Sequence, residues 1–227
     1  VMPADAPSVK TANTSALGAD IVAYDRRTQS RETIATALAE ERGAVLVPSY
    51  DDPFIIAGQG TVGLEILKQA DEASASIGQV LVCCGGGGLV AGIATAMRPC
   101  LPDAAIYSVE PAAFDDTARS LTSGTREPVA ADAVSICDAL LAPTPGALTF
   151  PINKALLSGG LAVTDDEVRR AMRYAFEVLK LVVEPGGAVA LAALLAGKAP
   201  AADGATVVVI SGSNVDGGLF AEIVGGD

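Results

Sequence analysis

The sequence predicts an α/β protein built on open parallel sheets, on three observations. Short β-branched, apolar runs alternate with segments of helical period along the whole chain, the pattern of strands buried on both faces between crossover helices. Half of the 227 residues are apolar and only 19% are charged, enough for one large or two small domains with a sizeable core. Finally, four consecutive glycines, Gly85 to Gly88, stand between the apolar run Val80-Leu81-Val82-Cys83-Cys84 and a helix predicted to open at Leu89. A backbone without side chains can bring several N–H groups onto one anion, and a helix N-terminus adds partial positive charge behind them.

Taken in chain order, Val1-Met2-Pro3 reads as the end of a strand entering a helix near Asp5, so a further N-terminal portion is expected upstream. Strands are predicted at Ile21–Tyr24 and Val45–Val47, and Asp51-Asp52-Pro53 then marks a boundary between residues 1–51 and 52–227. Buried strands follow at Val80–Cys84, Ile106–Val109 and Val207–Ile210. Thr164-Asp165-Asp166-Glu167 is a capping box that opens a helix running to about Lys180, and Pro185 suits the first turn of another that stops near Gly197.

Composition excludes several functions. Fifteen Lys and Arg against 27 Asp and Glu leave a net charge of −12, which repels nucleic acid and anionic membranes. The longest apolar stretch, Ala188–Ala196, falls short of the ~18 residues of a spanning helix, and no leader pattern opens the chain, so a cytoplasmic protein is expected. Cys83 and Cys84 are adjacent on a strand while Cys100 and Cys137 stand alone, which favours reduced buried thiols over disulfides or zinc. Without a single His in the sequence, Ser-His and Cys-His nucleophiles and imidazole acid-base chemistry are ruled out of these residues.

The glycine loop has competing owners. Gly86-x-Gly88-x-x-Ala91 satisfies the dinucleotide fingerprint, and Glu110 ends the next strand 22 residues beyond Gly88, the spacing of an NAD-dependent oxidoreductase. Glycines at a tight turn with no ligand form the bland alternative. Further segments, in order, are Ile56-Ala57-Gly58-Gln59-Gly60-Thr61-Val62-Gly63-Leu64-Glu65, Val109-Glu110-Pro111, Val183-Glu184-Pro185-Gly186-Gly187-Ala188 and Ser211-Gly212-Ser213-Asn214-Val215-Asp216. With the tetraglycine they resemble the serine/threonine dehydratase family of pyridoxal-phosphate enzymes, which includes serine racemase and the hydroxyaspartate dehydratases, and the resemblance spans essentially the whole chain.

That resemblance implies a fold-type-II enzyme of two open parallel-sheet α/β domains, with 1–51 a remnant of the smaller and 52–227 most of the larger, cofactor-binding one. It implies that the amides of Gly85, Gly86, Gly87, Gly88 and Leu89 grip the phosphate of pyridoxal 5'-phosphate and that Ser211 faces the pyridine nitrogen. A neutral hydroxyl there holds the ring proton less firmly than a carboxylate would, which favours prompt β-elimination over long-lived carbanion chemistry. Glu184 falls close to the pyridine side, with a first-turn acid favoured by the helix dipole as its plain alternative. Tyr50 stands where relatives carry Asn or Phe near the cofactor ring, as readily a core residue as a stacking one. Glu110-Pro111-Ala112-Ala113-Phe114-Asp115-Asp116 matches a segment by which relatives bind a divalent cation, so Glu110, Asp116 and the Phe114 carbonyl become candidate ligands for Mg²⁺ or Ca²⁺, against a solvated acidic helix start. Arg31 matches an arginine that reaches the substrate carboxylate in racemase-like members; a surface helix arginine is its plain alternative.

Two features depart from the family. Its Schiff-base lysine lies in a Ser-Phe-Lys context upstream of where this sequence begins, and none of Lys10, Lys68, Lys154, Lys180 or Lys198 has that neighbourhood, so no catalytic lysine is assigned and the chain alone is expected to be inactive. Ile136-Cys137-Asp138-Ala139 replaces a common Ala-Asp-Gly, placing a β-carbon near the cofactor. The intact enzyme is expected to act on a β-hydroxy amino acid such as threonine or serine: the α-proton leaves, the β-hydroxyl is expelled, and hydrolysis yields a 2-oxo acid and ammonia. A homo-oligomer, dimer or tetramer, is expected. The alternatives are the NAD-dependent oxidoreductase and a non-catalytic subunit of the same fold.

Overall fold

The structure is a computed structural model that describes residues 1–226. The chain opens with β1 (Met2–Pro3), α1 (Ser8–Ala16), β2 (Ala23–Tyr24) and α2 (Arg31–Arg42). β1 and β2 pair in parallel, Met2 opposite Ala23 and Pro3 opposite Tyr24. α1 begins three residues later than expected because Pro7 disfavours helical backbone at Ala6. Ser30 caps α2 by accepting the Thr33 amide, and Gly43 ends it in the left-handed region at φ 60°.

The predicted strand Val45–Val47 does not form. These residues carry no regular secondary structure and pair with nothing among the described residues, and Val45 is 89% exposed. β-branched residues favour a pleated surface only where a neighbouring strand supplies one.

The larger part begins at α3 (Pro53–Glu72), whose cap Asp52 accepts the amides of Phe54 and Ile55. It continues through β3 (Ile77–Cys83), α4 (Gly88–Met97), β4 (Ala105–Pro111), α5 (Asp116–Ser123), α6 (Thr149–Leu156), β5 (Gly159–Val163), α7 (Asp165–Tyr174), α8 (Pro185–Leu195), β6 (Ala205–Val208) and α9 (Gly217–Gly225). All pairings are parallel and the strand order is β5-β4-β3-β6. β5 escaped the sequence reading because Gly159 and Gly160 carry no β-branched signal; a β-carbon on Gly160 would strike Ala118.

One face of β3 and β4, with Cys84 just beyond β3, gives Val80, Val82, Cys84 and Ile106 to a core shared with Val90, Ile93 and Met97 of α4. The other face gives Leu81, Cys83 and Val109 to a core with α7 and α8. The adjacent cysteines therefore do point to opposite faces, and all four thiols are free, though Cys100 is exposed rather than buried. Helix α8 is apolar all round and buried from Pro185 to Ala193, so it is a core helix. The Thr164 capping box is present, and α7 runs through a π turn, Ala175–Leu179, to Lys180 in the left-handed region. No helix among the described residues is long and apolar enough to cross a membrane.

Candidate active site

The strand order locates the site. From β3 the chain builds outward through β4 to β5, then returns to place β6 on the other side of β3. The order reverses between β3 and β6, and in open parallel sheets the crevice at the carboxyl ends of such strands is where ligands bind. The segment leaving β3 is the tetraglycine; the segment leaving β6 carries Ser211.

The loop is held open by its neighbours. Gly87 takes φ 92°, left-handed backbone that favours glycine, and caps α4. The Thr149 hydroxyl and the Gly146 amide donate to the Gly86 carbonyl at 2.6 and 3.2 Å, and the Asn153 amide group donates to the Gly87 carbonyl at 3.2 Å. Among the described residues, no protein acceptor receives the amides of Gly85, Gly86, Gly87, Gly88 or Leu89. Carbonyls tied off on one side and free amides at a helix N-terminus make an anion cradle. A β-carbon would obstruct it, since one on Gly86 would run into the Tyr50 ring and one on Gly85 would lie 3.2 Å from Leu140 Cα. Tyr50 thus packs along the loop, and burial pushes its phenol up.

Asp51 supports the cradle from behind. Its carboxylate accepts the amides of Ala147, Leu148 and Thr149 at 2.8 to 3.1 Å, fixing the start of the helix that reaches Gly86 and Gly87.

At the other end, buried Cys83 donates through its thiol to the Ser211 hydroxyl at 3.0 Å. Burial pushes the Cys83 thiol up, so it stays an S–H donor. Glu184 caps α8 by position but makes no capping bond; its own amide donates to the Gly212 carbonyl at 3.0 Å, and its carboxylate lies against Gly212. Lys10 comes from α1 to meet it, with Nζ 2.9 Å from Glu184 Oε2 and 2.7 Å from Asp138 Oδ2. Burial by itself would lower the Lys10 pKa, but the close contacts and attraction of the two carboxylates outweigh it and hold it above its ordinary value. Lys10 is therefore a cation here and not a free amine nucleophile. Neither Lys10 nor Asp138 was singled out as a site residue from the sequence; a lysine 128 residues from its partner leaves no local signal. Ala139, beside Asp138, faces the glycine-rich turn of α8, 3.3 Å from where a Gly186 β-carbon would sit.

Arg31 is the first residue of α2 and donates to Glu32 at 3.0 Å and to the Ser49 hydroxyl at 3.3 Å, which brings it beside the segment that carries Tyr50.

Glu110 and Asp116 form a separate pair. Glu110 is fully buried, and its two oxygens accept the amides of Thr117 and Ala118 at 2.9 and 2.8 Å. Burial, reinforced by the charge of Asp116, pushes the Glu110 carboxyl up to about 8, and burial pushes Asp116 up to about 7. Asp116 Oδ2 is buried without a hydrogen-bond partner. Phe114 closes the intervening turn and is buried. Among the described residues no group of three or more His, Cys, Asp or Glu is arranged to hold a metal, so a cation here would depend on carbonyl and water oxygens beside the two carboxylates. A groove of about 500 Å³ lined by Ala112, Asp115, Arg119 and Pro128 borders this pair rather than the glycine loop.

The dinucleotide reading fails on this geometry, because Glu110 is sealed in the core on helix amides and cannot reach a ribose. Residues 1–212 match the family of pyridoxal-phosphate dependent enzymes, and the chain belongs to it. Its similarity is to the ammonia-lyases and racemases of that family. The chain is 39% identical to the L-threo-3-hydroxyaspartate ammonia-lyase of Pseudomonas sp over 226 residues, all of this chain and 69% of that protein. It is 40% identical to the L-threonine ammonia-lyase of Geobacter sulfurreducens, covering 95% of this chain but only 52% of that protein. Among solved structures, maize serine racemase superposes with a TM-score of 0.86 at 35% identity, over 97% of this chain and 67% of that one. The threonine deaminase of T.th. superposes with a TM-score of 0.83 at 40% identity, over 91% and 67%. The expected cofactor and fold therefore stand, and the unshielded amides of the glycine loop fit a phosphate monoester.

Proposed function

We propose that this chain is the greater part of an ammonia-lyase that converts a β-hydroxy amino acid such as threonine or serine to a 2-oxo acid and ammonia. The observation that carries the reading is the row of free amides from Gly85 to Leu89, whose carbonyl side is bound by Thr149 and Asn153. Those amides would hold the cofactor phosphate, and Ser211 would hold its ring nitrogen. Because Cys83 already donates to the Ser211 oxygen, the Ser211 proton is left free for that acceptor. When bound, pyridoxal phosphate supplies an electron sink for the α-carbon. A neutral serine partner favours rapid loss of the β-hydroxyl. Tyr50 would wall the cofactor, and Arg31 would meet the substrate carboxylate.

The same reading takes residues 1–51 and 52–227 as parts of two domains, the protein as a homo-oligomer, and Glu110, Asp116 and the Phe114 carbonyl as a site for Mg²⁺ or Ca²⁺. The orphaned Asp116 oxygen supports the cation. An exposed free thiol at Cys100 supports a cytoplasmic setting.

The test uses the gene product as encoded, reconstituted with pyridoxal phosphate and offered L-threonine, L-serine or threo-3-hydroxyaspartate. Release of 2-oxo acid and ammonia in equal amounts from threonine or serine is expected. Conversion of serine to its enantiomer without ammonia would replace the lyase by a racemase, and no turnover at all would leave a non-catalytic subunit.

A further inference from the structure

We propose that Lys10 is a positioning residue of the cofactor site, an ionic clasp that docks the N-terminal segment onto Asp138 and Glu184 and keeps Glu184 engaged at the pyridine end of the crevice. This rests on the placement of Ser211 and Glu184 at that end. The three side chains are largely enclosed, Lys10 being 19% exposed, Asp138 25% and Glu184 11%, so their attraction is less screened than that of a surface pair.

Packing alone does not seat α1. The helix has no buried residue, yet its Lys10 crosses to two elements of the larger part: the turn Asp138–Leu140, which lies against Gly85 and Gly186, and the first turn of α8. Both elements line the crevice, so a shift of α1 pulls on both. The contact with Asp138 is a well-formed hydrogen bond. The contact with Glu184 is an ion pair at 2.9 Å without well-formed hydrogen-bond geometry, so the charge of Lys10 is what compensates the buried Oε2. Without the ammonium, the Asp138 and Glu184 carboxylates would be left facing each other with no cation between them, and relief would come from Glu184 turning away. That movement alters what the ring nitrogen meets next to Ser211. Lys10 in this way selects the neutral hydroxyl as the ring's partner by neutralising the nearby acid.

A double-mutant cycle tests this on the full chain with pyridoxal phosphate, using Lys10→Met, Glu184→Gln and both together. Lys10→Met is expected to weaken cofactor binding about tenfold, and in the Glu184→Gln background the same change should cost less than about twofold. The absorption band of bound pyridoxal phosphate, which reports ring protonation, should move in Lys10→Met and return in Lys10→Arg. Melting without cofactor provides an independent readout: Lys10→Met should lower Tm, and Glu184→Gln should restore part of the loss. Wild-type affinity in Lys10→Met, or simple additivity in both cycles, overturns the clasp. Failure of the wild-type chain to bind pyridoxal phosphate at all would instead overturn the cofactor site, with the melting cycle still deciding the clasp.

Discussion

Residues 1–51 and the rest of the chain are held by different forces. The larger part encloses two apolar cores, one on each face of its sheet. The first 51 residues contain no buried side chain at all. Apart from the Tyr50 ring on the glycine loop, what ties them down is polar: Lys10 on Asp138 and Glu184, and Asp51 on the start of α6. Burial is strong and undirected, whereas ion pairs and caps are weak and directional. The larger part is therefore built to persist and the smaller to be placed against it.

The sharpest test of that contrast is a pair of truncations. Met97→Ala, at a fully buried position between α4 and the sheet, is expected to lose about 2–5 kcal/mol in denaturant unfolding. Leu17→Ala, at a position 90% exposed, should change stability by less than about 0.5 kcal/mol. Similar losses at both would mean that the N-terminal segment has a core of its own. Next in size is Gly92→Val, where a β-carbon would run into the Ile56 carbonyl and the backbone of Gly60; about 1–3 kcal/mol should be lost as α3 and α4 are forced apart.

Smaller effects probe the polar ties. Asp51→Ala removes the acceptor of three amides and should cost about 0.5–2 kcal/mol. It should also weaken pyridoxal phosphate binding, because α6 carries Thr149 to the loop; unchanged binding would uncouple the two.

The buried acids predict a pH dependence within the larger part. Glu110 and Asp116 bind protons more tightly folded than unfolded. Each therefore leaves stability intact below its ordinary pKa, near 4, and subtracts from it as pH rises to about 7 for Asp116 and about 8 for Glu110. Unfolding free energy should fall across that window in the presence of a chelator and fall less with added Mg²⁺ or Ca²⁺. Glu110→Gln should flatten the slope, and a slope unaffected by that substitution would place the titration elsewhere.

Much of the larger part is legible in the amino acids alone because its requirements are local. Strands buried on both faces must be apolar runs, as at Val80–Cys84. Thr164 and Glu167 can cap a helix without reference to anything distant, and a loop that brings amides to one point must lack side chains at Gly85 to Gly88. The lack of His in these residues and the acidic balance are likewise read from composition alone. Tertiary structure alone decided the rest. It left Val45–Val47 unpaired, made a strand of Gly159–Val163, set β6 beside β3, and brought Lys10 to Asp138 and Glu184. Those outcomes depend on which surfaces meet far apart in the chain, from 52 residues between Tyr107 and Gly159 to 128 between Lys10 and Asp138, and no local pattern of side chains encodes a partner at that range.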